Sequence, residues 1–360
     1  MEVFFYQAEC GDAARIRFND NSDIPKNILI DSGYERTYDY ILKEEIEKIR
    51  KNREKIDLCI ISHIHSDHIG GVIKYIKEIN NELSEDIISN WFYNAPREYK
   101  STQANRKTSV SLATSISQGD ELHQYLNSKG KSFKDRLTNN LLEVIDLYGM
   151  KIMVLSPTNE KLDLLKQKYI SKDTSLERIE NETVSDAVSV KGFDYHLKLQ
   201  DFDLAKWDED KSIENGSSIS IVSELGNKKI LWLADSHPTD IVNSMKKMGY
   251  SKKKKFSCDL VKVSHHGSSG NNSSELYAFI DCPNYLISSN GENKYYLPTK
   301  ESLARIILNN NRDYNLKYTI YFTYDNSILR KIFDVDGEDV FKKWNFEIVF
   351  NNEKKFRLKI

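Results

Sequence analysis

Cysteine, proline and long apolar runs are scarce in this 360-residue sequence, and each shortage excludes a class of protein. The four cysteines (Cys10, Cys59, Cys258 and Cys282) are far apart and form no Cys-x-x-Cys pair, which favours reduced, buried thiols over disulfides or a structural zinc cluster. No stretch approaches the roughly 18 consecutive apolar residues of a membrane span, and the first residues lack a basic leader. We therefore expect a cytoplasmic protein with no membrane partner.

The sequence also lacks an excess of charge of either sign. Lys and Arg number 52 against 54 for Asp and Glu, so the net charge is −2. No global basic field therefore attracts nucleic acid or an anionic membrane, and a polyanion would have to be bound locally. Hydrophobic residues make up 39 % of the chain, which excludes a disordered protein and allows a sizeable core.

Short apolar runs alternate with helical patterns along most of the chain, which is typical of an α/β protein. We predict one domain over residues 1–360, in which the polar segments 96–149 and 159–214 are largely helical insertions or lids rather than parts of a sheet. The last two apolar runs, Trp344–Phe350 and Phe356–Ile360, predict a terminal hairpin.

The string Ser62–Gly71 follows Ile56–Ile61, an apolar run typical of a strand buried on both faces. It holds three histidines and one aspartate within six positions: His63, His65, Asp67 and His68. Four such side chains beside an apolar strand would cost several kcal/mol to desolvate without a partner. The string therefore predicts two half-sites for divalent metal ions.

Two further strand ends offer ligands to such ions. Asp235 follows the apolar run Ile230–Ala234, and His265 and His266 follow Leu260–Val263. Each alone is equally typical of a residue that caps a strand or begins a turn. Three such strand ends in one chain favour a metal pair, with the carboxylate of Asp235 between the two ions.

At these residues the sequence resembles the metallo-β-lactamase fold, and within it the branch that includes the hydrolase domain of the ComEC competence proteins. The resemblance covers nearly the whole chain. Its most specific element is the Lys-Val-x-His-His-Gly-Ser string that begins at Lys262. The landmarks occur in the family's order at Ala8–Ala13, Ile28–Gly33, Ile61–Gly71, Val154–Pro157, Asn215–Ile219, Leu231–Asp235 and Val261–Ser268.

The resemblance implies a four-layer αββα sandwich with two metal ions in a cleft at one edge of its sheets. His63 and His65 would hold one ion, Asp67 and His68 the other, and Asp235 would bridge them. His266 would complete the second site and His265 would contact an anionic oxygen of the substrate, although strand alternation leaves the order of these two roles open. True β-lactamases usually have a third histidine where Asn215 lies here, so Asn215 or His196 would close the first site.

The sequence departs from the branch in two respects. Leu297 stands where the branch often has a histidine, which puts in doubt a role in binding or protonating the leaving group. ComEC proteins carry this domain beside membrane helices, and this sequence has none, so DNA uptake does not carry over.

These observations predict a metallo-hydrolase with two divalent ions and a metal-activated hydroxide oriented by Asp67. Zinc is the expected metal, and manganese is the alternative. A phosphodiester is the expected bond, in a phosphorylated small molecule or a single-stranded nucleic acid, so the activity would be that of a nucleotide phosphodiesterase or a nuclease. The same site would also suit an amide, ester or lactone. A third interpretation is a module that binds a protein partner and whose metals are structural.

Overall fold

Short apolar segments of the sequence form two facing sheets in the computed structural model of the chain, which describes residues 1–96, 110–134, 136–140, 143–174, 193–293 and 295–360. Two further short strands, Phe256–Ser257 and Ile280–Asp281, pair with each other in a separate two-stranded sheet. In chain order the strands are β1 (Glu2–Tyr6), β2 (Ala13–Asn19), β3 (Pro25–Ser32), β4 (Ile56–Ile61), β5 (Ile88–Tyr93), β6 (Ser132–Lys134), β7 (Val144–Leu147), β8 (Met150–Ser156), β9 (Ser220–Leu225), β10 (Lys228–Trp232), β11 (Phe256–Ser257), β12 (Leu260–Lys262), β13 (Ile280–Asp281), β14 (Asn284–Ile287), β15 (Tyr318–Phe322), β16 (Phe346–Phe350) and β17 (Lys355–Lys359).

Helices connect these strands and cover the sheets. They are α1 (Glu35–Thr37), which continues through a π-helical turn at Tyr38–Leu42 into α2 (Lys43–Lys51), then α3 (Ser66–Asn80), α4 (Val110–Ser128), α5 (Asn159–Thr174), α6 (Ile213–Gly216), α7 (Pro238–Lys247), α8 (Ser274–Ala278), α9 (Lys300–Ile307), α10 (Ser327–Arg330) and α11 (Val340–Lys343). Short 3-10 turns lie at Leu199–Asp201, Ser264–Gly267, Ser269–Asn271 and Asp334–Asp336.

The strand order brings together the strand ends that carry candidate ligands. Among the described residues, the first sheet has the order β17-β1-β2-β3-β4-β5-β6 and the second β16-β15-β14-β12-β10-β9-β8-β7. β4 runs parallel to β3 and β5, and β10 runs parallel to β12. The carboxyl ends of parallel strands meet at one edge of a sheet, so the loops that follow β4, β10 and β12 lie together where the two sheets face each other.

Three apolar cores separate the layers. The middle core lies between the sheets and includes Ile16 and Leu58 from the first sheet and Ile221 and Trp232 from the second. The other two cores lie between each sheet and its helices, with Ile73 of α3 in one and Ile241 of α7 in the other. This order of layers confirms the predicted αββα sandwich.

The predicted terminal hairpin is wrong. Both strands exist, but β16 pairs in parallel with β15 in the second sheet, while β17 pairs antiparallel with β1 in the first. Facing sheets are about 10 Å apart, a gap that the four residues between β16 and β17 can span. Each strand therefore extends a different sheet instead of pairing with its neighbour in sequence.

The expectation that segment 96–149 contributes nothing to the sheets is also wrong. β6 pairs with β5 at the edge of the first sheet, and β7 pairs with β8 at the edge of the second. The helix α4 agrees with the predicted helical content of this segment. Residues 97–109, 135 and 141–142 of this segment, and 175–192 of segment 159–214, lie outside the described residues, and the roles of both segments as insertions or lids stay predictions.

Two expectations about the chain's chemistry can be compared with the fold. All four cysteines are free and buried, as predicted. Across the described residues, no helix combines the length and the apolar character needed to cross a membrane.

Candidate metal centre

The candidate ligands lie just beyond three buried strands. β4 is buried at all six positions, and the chain leaves it through His63 and His65 before α3 begins at Ser66. Asp235 follows β10, and His265 and His266 follow β12. The sequence thus uses apolar strands to hold polar loops at a fixed place, and the loops bring all six predicted ligands and His265 to one edge of the sandwich.

One group of ligand atoms joins the first two histidines to the shared aspartate. Nε2 of His63 lies 3.0 Å from Nδ1 of His65 and 3.7 Å from Oδ2 of Asp235. Ligand atoms of these three residues lie within 4.8 Å of one another, which is close enough to surround a single cation.

A second group lies on the other side of Asp235. Nε2 of His68 is 3.4 Å from Oδ1 of Asp235, and Nε2 of His266 is 3.3 Å from Oδ2 of Asp67. The group consists of Asp67, His68, Asp235 and His266. The side chains therefore lie in two sets that share Asp235, and their assignment as metal ligands stays a prediction.

Unpartnered polar atoms test whether these residues fit metal ions. Nε2 of His68, Nε2 of His266 and both carboxylate oxygens of Asp235 are buried and have no hydrogen-bond partner within the described part of the chain. A buried polar group without a partner costs about 1–3 kcal/mol, and more if it is charged. Divalent cations would satisfy all four atoms at once, so the donor set fits a pair of ions with nitrogen and oxygen ligands.

Consecutive left-handed residues explain how His265 and His266 both face the centre. Their φ angles are 44° and 53°, in a region that residues other than glycine rarely adopt. In an extended strand successive side chains point to opposite faces, whereas this local turn brings both imidazoles to the same side. Each contacts Asp235, since Nε2 of His265 lies 3.5 Å from Oδ2 and Nε2 of His266 lies 3.8 Å from Oδ1.

A second layer of side chains orients the histidines of the second group. Nδ1 of His68 lies 2.8 Å from Oδ2 of Asp31, and Nδ1 of His266 lies 3.3 Å from Oδ1 of Asp12 and 3.0 Å from the carbonyl oxygen of Ser288. Lys262 donates in turn to Asp12 in a buried ion pair. Such partners fix the ring orientation and leave Nε2 to face a metal.

The electrostatics of the site favour ionised carboxylates. Burial acts to raise the pKa of Asp235, but the surrounding His265, His68 and His266 hold that pKa well below its usual range. The pKa of Asp67 is lowered in the same way, against its burial, chiefly by His68 and His266. The anionic carboxylate is the form that binds a divalent cation.

The pKa values of His63 and His68 are shifted in opposite directions. Burial, together with the neighbouring His68 and His65, lowers the pKa of His63 well below its usual range. Burial opposes protonation of His68 as well, but the carboxylates of Asp235, Asp67 and Asp31 outweigh it and raise the pKa of His68 well above that range. A metal ion in the second group would therefore compete with a proton on His68.

Sequence reasoning assigned no role to four polar residues near the site. Asp12 and Asp31 form a further acidic group with His68, and Asp210 and Asn271 lie behind His265. Asp12 and Asp31 fall inside two of the landmark segments, which was the available signal. Asp210 and Asn271 are 61 residues apart, and no local pattern joins them.

Other residues weighed from the sequence lie outside the two ligand groups. His196 is exposed, so it does not take part in either group. Asn215 is buried and donates to Oδ2 of Asp210 at 2.6 Å. Leu297, at the position where the branch often has a histidine, is a buried side chain with 1 % of its surface exposed.

A match to a known protein family agrees with this architecture. Residues 26–115, which include most of β3 and all of β4, α3 and β5, match the family model of the Metallo-beta-lactamase superfamily. No curated protein sequence matches the chain significantly.

Solved structures align at low identity. Zn(2+)-bound PqqB from Methylobacterium extorquens aligns at 7 % identity and a TM-score of 0.44 over 100 % of both chains. A mutant of CmlA beta-hydroxylase aligns at 13 % identity and a TM-score of 0.41. The alignment covers 100 % of this chain and 54 % of the other, so the chain spans about half of that protein's length. A long form RNase Z from yeast aligns at 11 % identity and a TM-score of 0.36, over 89 % of this chain and 36 % of the other. The matched segment and the sheet topology together give the chain the metallo-β-lactamase fold.

Proposed function

We propose that the chain is a metal-dependent hydrolase that cleaves a phosphodiester with the help of two divalent cations. Zinc is the expected metal, and manganese is the alternative. The observation that carries the proposal is that the two carboxylate oxygens of Asp235 face different histidines. Oδ2 faces His63, and Oδ1 faces His68. A buried carboxylate shared between two groups that contain histidines is a ligand arrangement that suits a metal pair.

The residues divide between the two ions as follows. His63 and His65 would hold the first ion, Asp67, His68 and His266 the second, and Asp235 would contact both. When bound, such a pair lowers the pKa of water towards neutrality and stabilises the charge that develops on the attacked group. The protein holds its ligands on buried strands, so little reorganisation is needed when substrate binds.

Asp67 differs from Asp235, the shared carboxylate, in its exposure. Its side chain is 20 % exposed, against 1 % for Asp235, so Asp67 faces the mouth of the site. Its Oδ2 lies 3.3 Å from Nε2 of His266 and 3.6 Å from Nε2 of His68. From this position Asp67 could orient the attacking water as well as bind the second ion.

The substrate class follows from the motif at β12 and from the charge of the chain. The Lys262–Ser268 string supports the ComEC-type branch and therefore a phosphodiester. A net charge of −2 favours a phosphorylated small molecule over a long nucleic acid, with single-stranded DNA as the other substrate. The four buried free cysteines support a location in the cytoplasm.

The test is hydrolysis of a chromogenic bis-aryl phosphodiester and of single-stranded DNA, with zinc or manganese added. We expect metal-dependent turnover in the wild type, and a loss of at least about 100-fold in an Asp67→Ala, His68→Ala double variant, because both ligands belong to the second group. A matched double variant, His196→Ala with Asp203→Ala, removes an exposed histidine and an exposed aspartate and should retain full activity.

The two substrates separate a nuclease from an enzyme of small molecules. No turnover of either substrate by protein shown by elemental analysis to hold two ions would contradict the phosphodiesterase proposal. Turnover of an aryl ester or a lactone by the same preparation would then assign carbonyl chemistry to the site.

A further inference from the structure

The two ligand groups are unequal within the described residues. The second group has three ligands of its own, Asp67, His68 and His266, in addition to Asp235. Within the same residues, the first has only His63 and His65 in addition to Asp235. We infer that His265 is a further ligand of the first ion, in addition to His63, His65 and Asp235. It comes from the strand end that also carries His266, and the inference rests on the metal pair of the proposed function.

The position of His265 relative to Asp235 is the main observation. Nε2 of His265 lies 3.5 Å from Oδ2 of Asp235, the same oxygen that lies 3.7 Å from Nε2 of His63. The other oxygen, Oδ1, faces His68 and His266. Two ligand atoms on one tetrahedral zinc ion lie about 3.4 Å apart, given zinc–nitrogen distances of about 2.0–2.1 Å. His265 is therefore on the side of the first ion, and its Nε2 is at ligand spacing from Asp235.

Hydrogen bonds behind the ring determine which nitrogen faces the metal. Nδ2 of Asn271 lies 3.0 Å from Oδ2 of Asp210 and 3.0 Å from the carbonyl oxygen of Asp235, both of which are acceptors. Oδ1 of Asn271 must then face Nδ1 of His265, at 2.8 Å, and accept its proton. This hydrogen bond leaves Nε2, the other ring nitrogen, facing Oδ2 of Asp235, where a cation between the two atoms would contact both.

Asn215 is the competing ligand, because its Oδ1 is buried and has no hydrogen-bond partner within the described ranges. Its Nδ2, however, donates to Asp210 and lies 3.4 Å from Nδ1 of His265, on the side of the ring away from Nε2. An imidazole nitrogen is also a better zinc ligand than a neutral amide oxygen. Asn215 therefore supports Asp210 and His265 from behind, while His265 meets the ion.

The backbone explains why a ligand is available from this place. His265 and His266 are both left-handed, and the peptide N–H of His265 donates to the carbonyl oxygen of Ala234 at 2.8 Å, one residue before Asp235. This hydrogen bond joins the β12 loop to the β10 loop. Successive imidazoles on one side of the chain can thus serve two ions that share one carboxylate.

The direct test places a thiolate at each competing position and reads it with cobalt. In cobalt(II)-loaded protein, His265→Cys should add a thiolate-to-cobalt charge-transfer band in the near ultraviolet, while Asn215→Cys should add none. The wild-type spectrum is subtracted, because four native cysteines are present. Circular dichroism and elemental analysis establish that each variant is folded and holds its cobalt.

Zinc binding gives a second readout that needs no substrate. We expect His265→Ala to lower the affinity for one of the two zinc ions by more than about 100-fold in a chelator competition. Asn271→Ala should lower the affinity for the same ion by about 10–100-fold. Two tightly bound zinc ions in His265→Ala, or a cobalt band that appears with Asn215→Cys and not with His265→Cys, would overturn the inference and return His265 to the role of a substrate contact.

The outcomes for the inference and for the proposed activity differ. Wild-type protein that binds two ions and hydrolyses no phosphodiester would contradict only the activity, because the cobalt and zinc readouts would still assign the ligand. Wild-type protein that binds fewer than two ions would overturn the inference together with the metal pair on which it rests.

Discussion

Oδ2 of Asp31 lies 2.8 Å from Nδ1 of His68, on the side of the imidazole opposite the contact between Nε2 and Asp235. Asp31 also accepts from the backbone N–H of Ser62 at 2.7 Å, so one carboxylate from the end of β3 positions both the ring and the loop that leaves β4. A carboxylate behind a histidine raises the basicity of the nitrogen that binds the metal.

We therefore predict that Asp31→Asn lowers the affinity of the second group for its ion by about 10–100-fold, while the protein remains folded. Zinc affinity in a chelator competition measures this effect. Asp57→Asn is the matched control, since Asp57 is a buried carboxylate at the opposite end of β4 that accepts from the backbone N–H of Asn27. Equal zinc affinities for the two variants would contradict a positioning role for Asp31.

Lys262 and Asp12 form an ion pair between the sheets, and the side chains are 5 % and 9 % exposed. Removing one member of such a pair leaves an uncompensated buried charge. We predict that Lys262→Met lowers the free energy of unfolding by about 3–5 kcal/mol, measured by urea denaturation. The exposed pair of Lys317 and Glu347 provides the control, since Lys317→Met should cost less than about 1 kcal/mol. Similar losses in both variants would show that burial does not set the strength of the Lys262 pair.

Local sequence patterns predicted the strand ends of the site well, because an apolar run followed by ligand-type residues is visible within about ten positions. β4 begins and ends at the predicted residues, and Asp235 lies beyond β10 as expected. The orientation of His265 and His266 was beyond that reasoning, since alternation applies to extended backbone and both residues are left-handed.

Pairing between distant segments was the part that local patterns did not determine. The run Phe356–Ile360 was correctly predicted as a strand, but its partner β1 lies at the opposite end of the chain. Asp210 and Asn271, which support His265, likewise meet across 61 residues. Periodicity identifies the element and its buried face, whereas the partner depends on the packing of the whole sandwich.

Asp86 joins three elements of the first helical layer. Its carboxylate accepts from the hydroxyls of Tyr75 at 2.8 Å and Tyr125 at 2.6 Å, and it pairs with Lys131 at 2.6 Å. Burial opposes ionisation, but Lys131 and these hydroxyls hold the pKa of Asp86 below its usual range. Because the folded-state pKa is the lower one, the stabilisation is present above the unfolded pKa of about 3.9 and is lost as the pH falls through the folded value.

We predict that Asp86→Asn lowers the free energy of unfolding by about 2 kcal/mol at pH 7, and that the gap to the wild type narrows as the pH falls below about 4. Urea denaturation at several pH values measures it. Asp203→Asn replaces an exposed aspartate and should show almost no difference at any pH. A gap for Asp86→Asn that is constant down to acid pH would mean that the charge of Asp86 contributes nothing.

Removal of the metal ions should lower the thermal stability of the protein, because Asp235 would then keep two buried oxygens without hydrogen-bond partners among the described residues. Zinc at a free concentration of 100 times its dissociation constant stabilises the folded state by about 2.7 kcal/mol for each site. For a chain of 360 residues this corresponds to a rise in Tm of about 4 °C for each ion, measured by differential scanning calorimetry against chelator-treated protein. Asp235→Ala removes the ligand that both groups share and should abolish most of the rise. A full rise in that variant would place the stabilising zinc elsewhere in the protein and contradict the shared carboxylate.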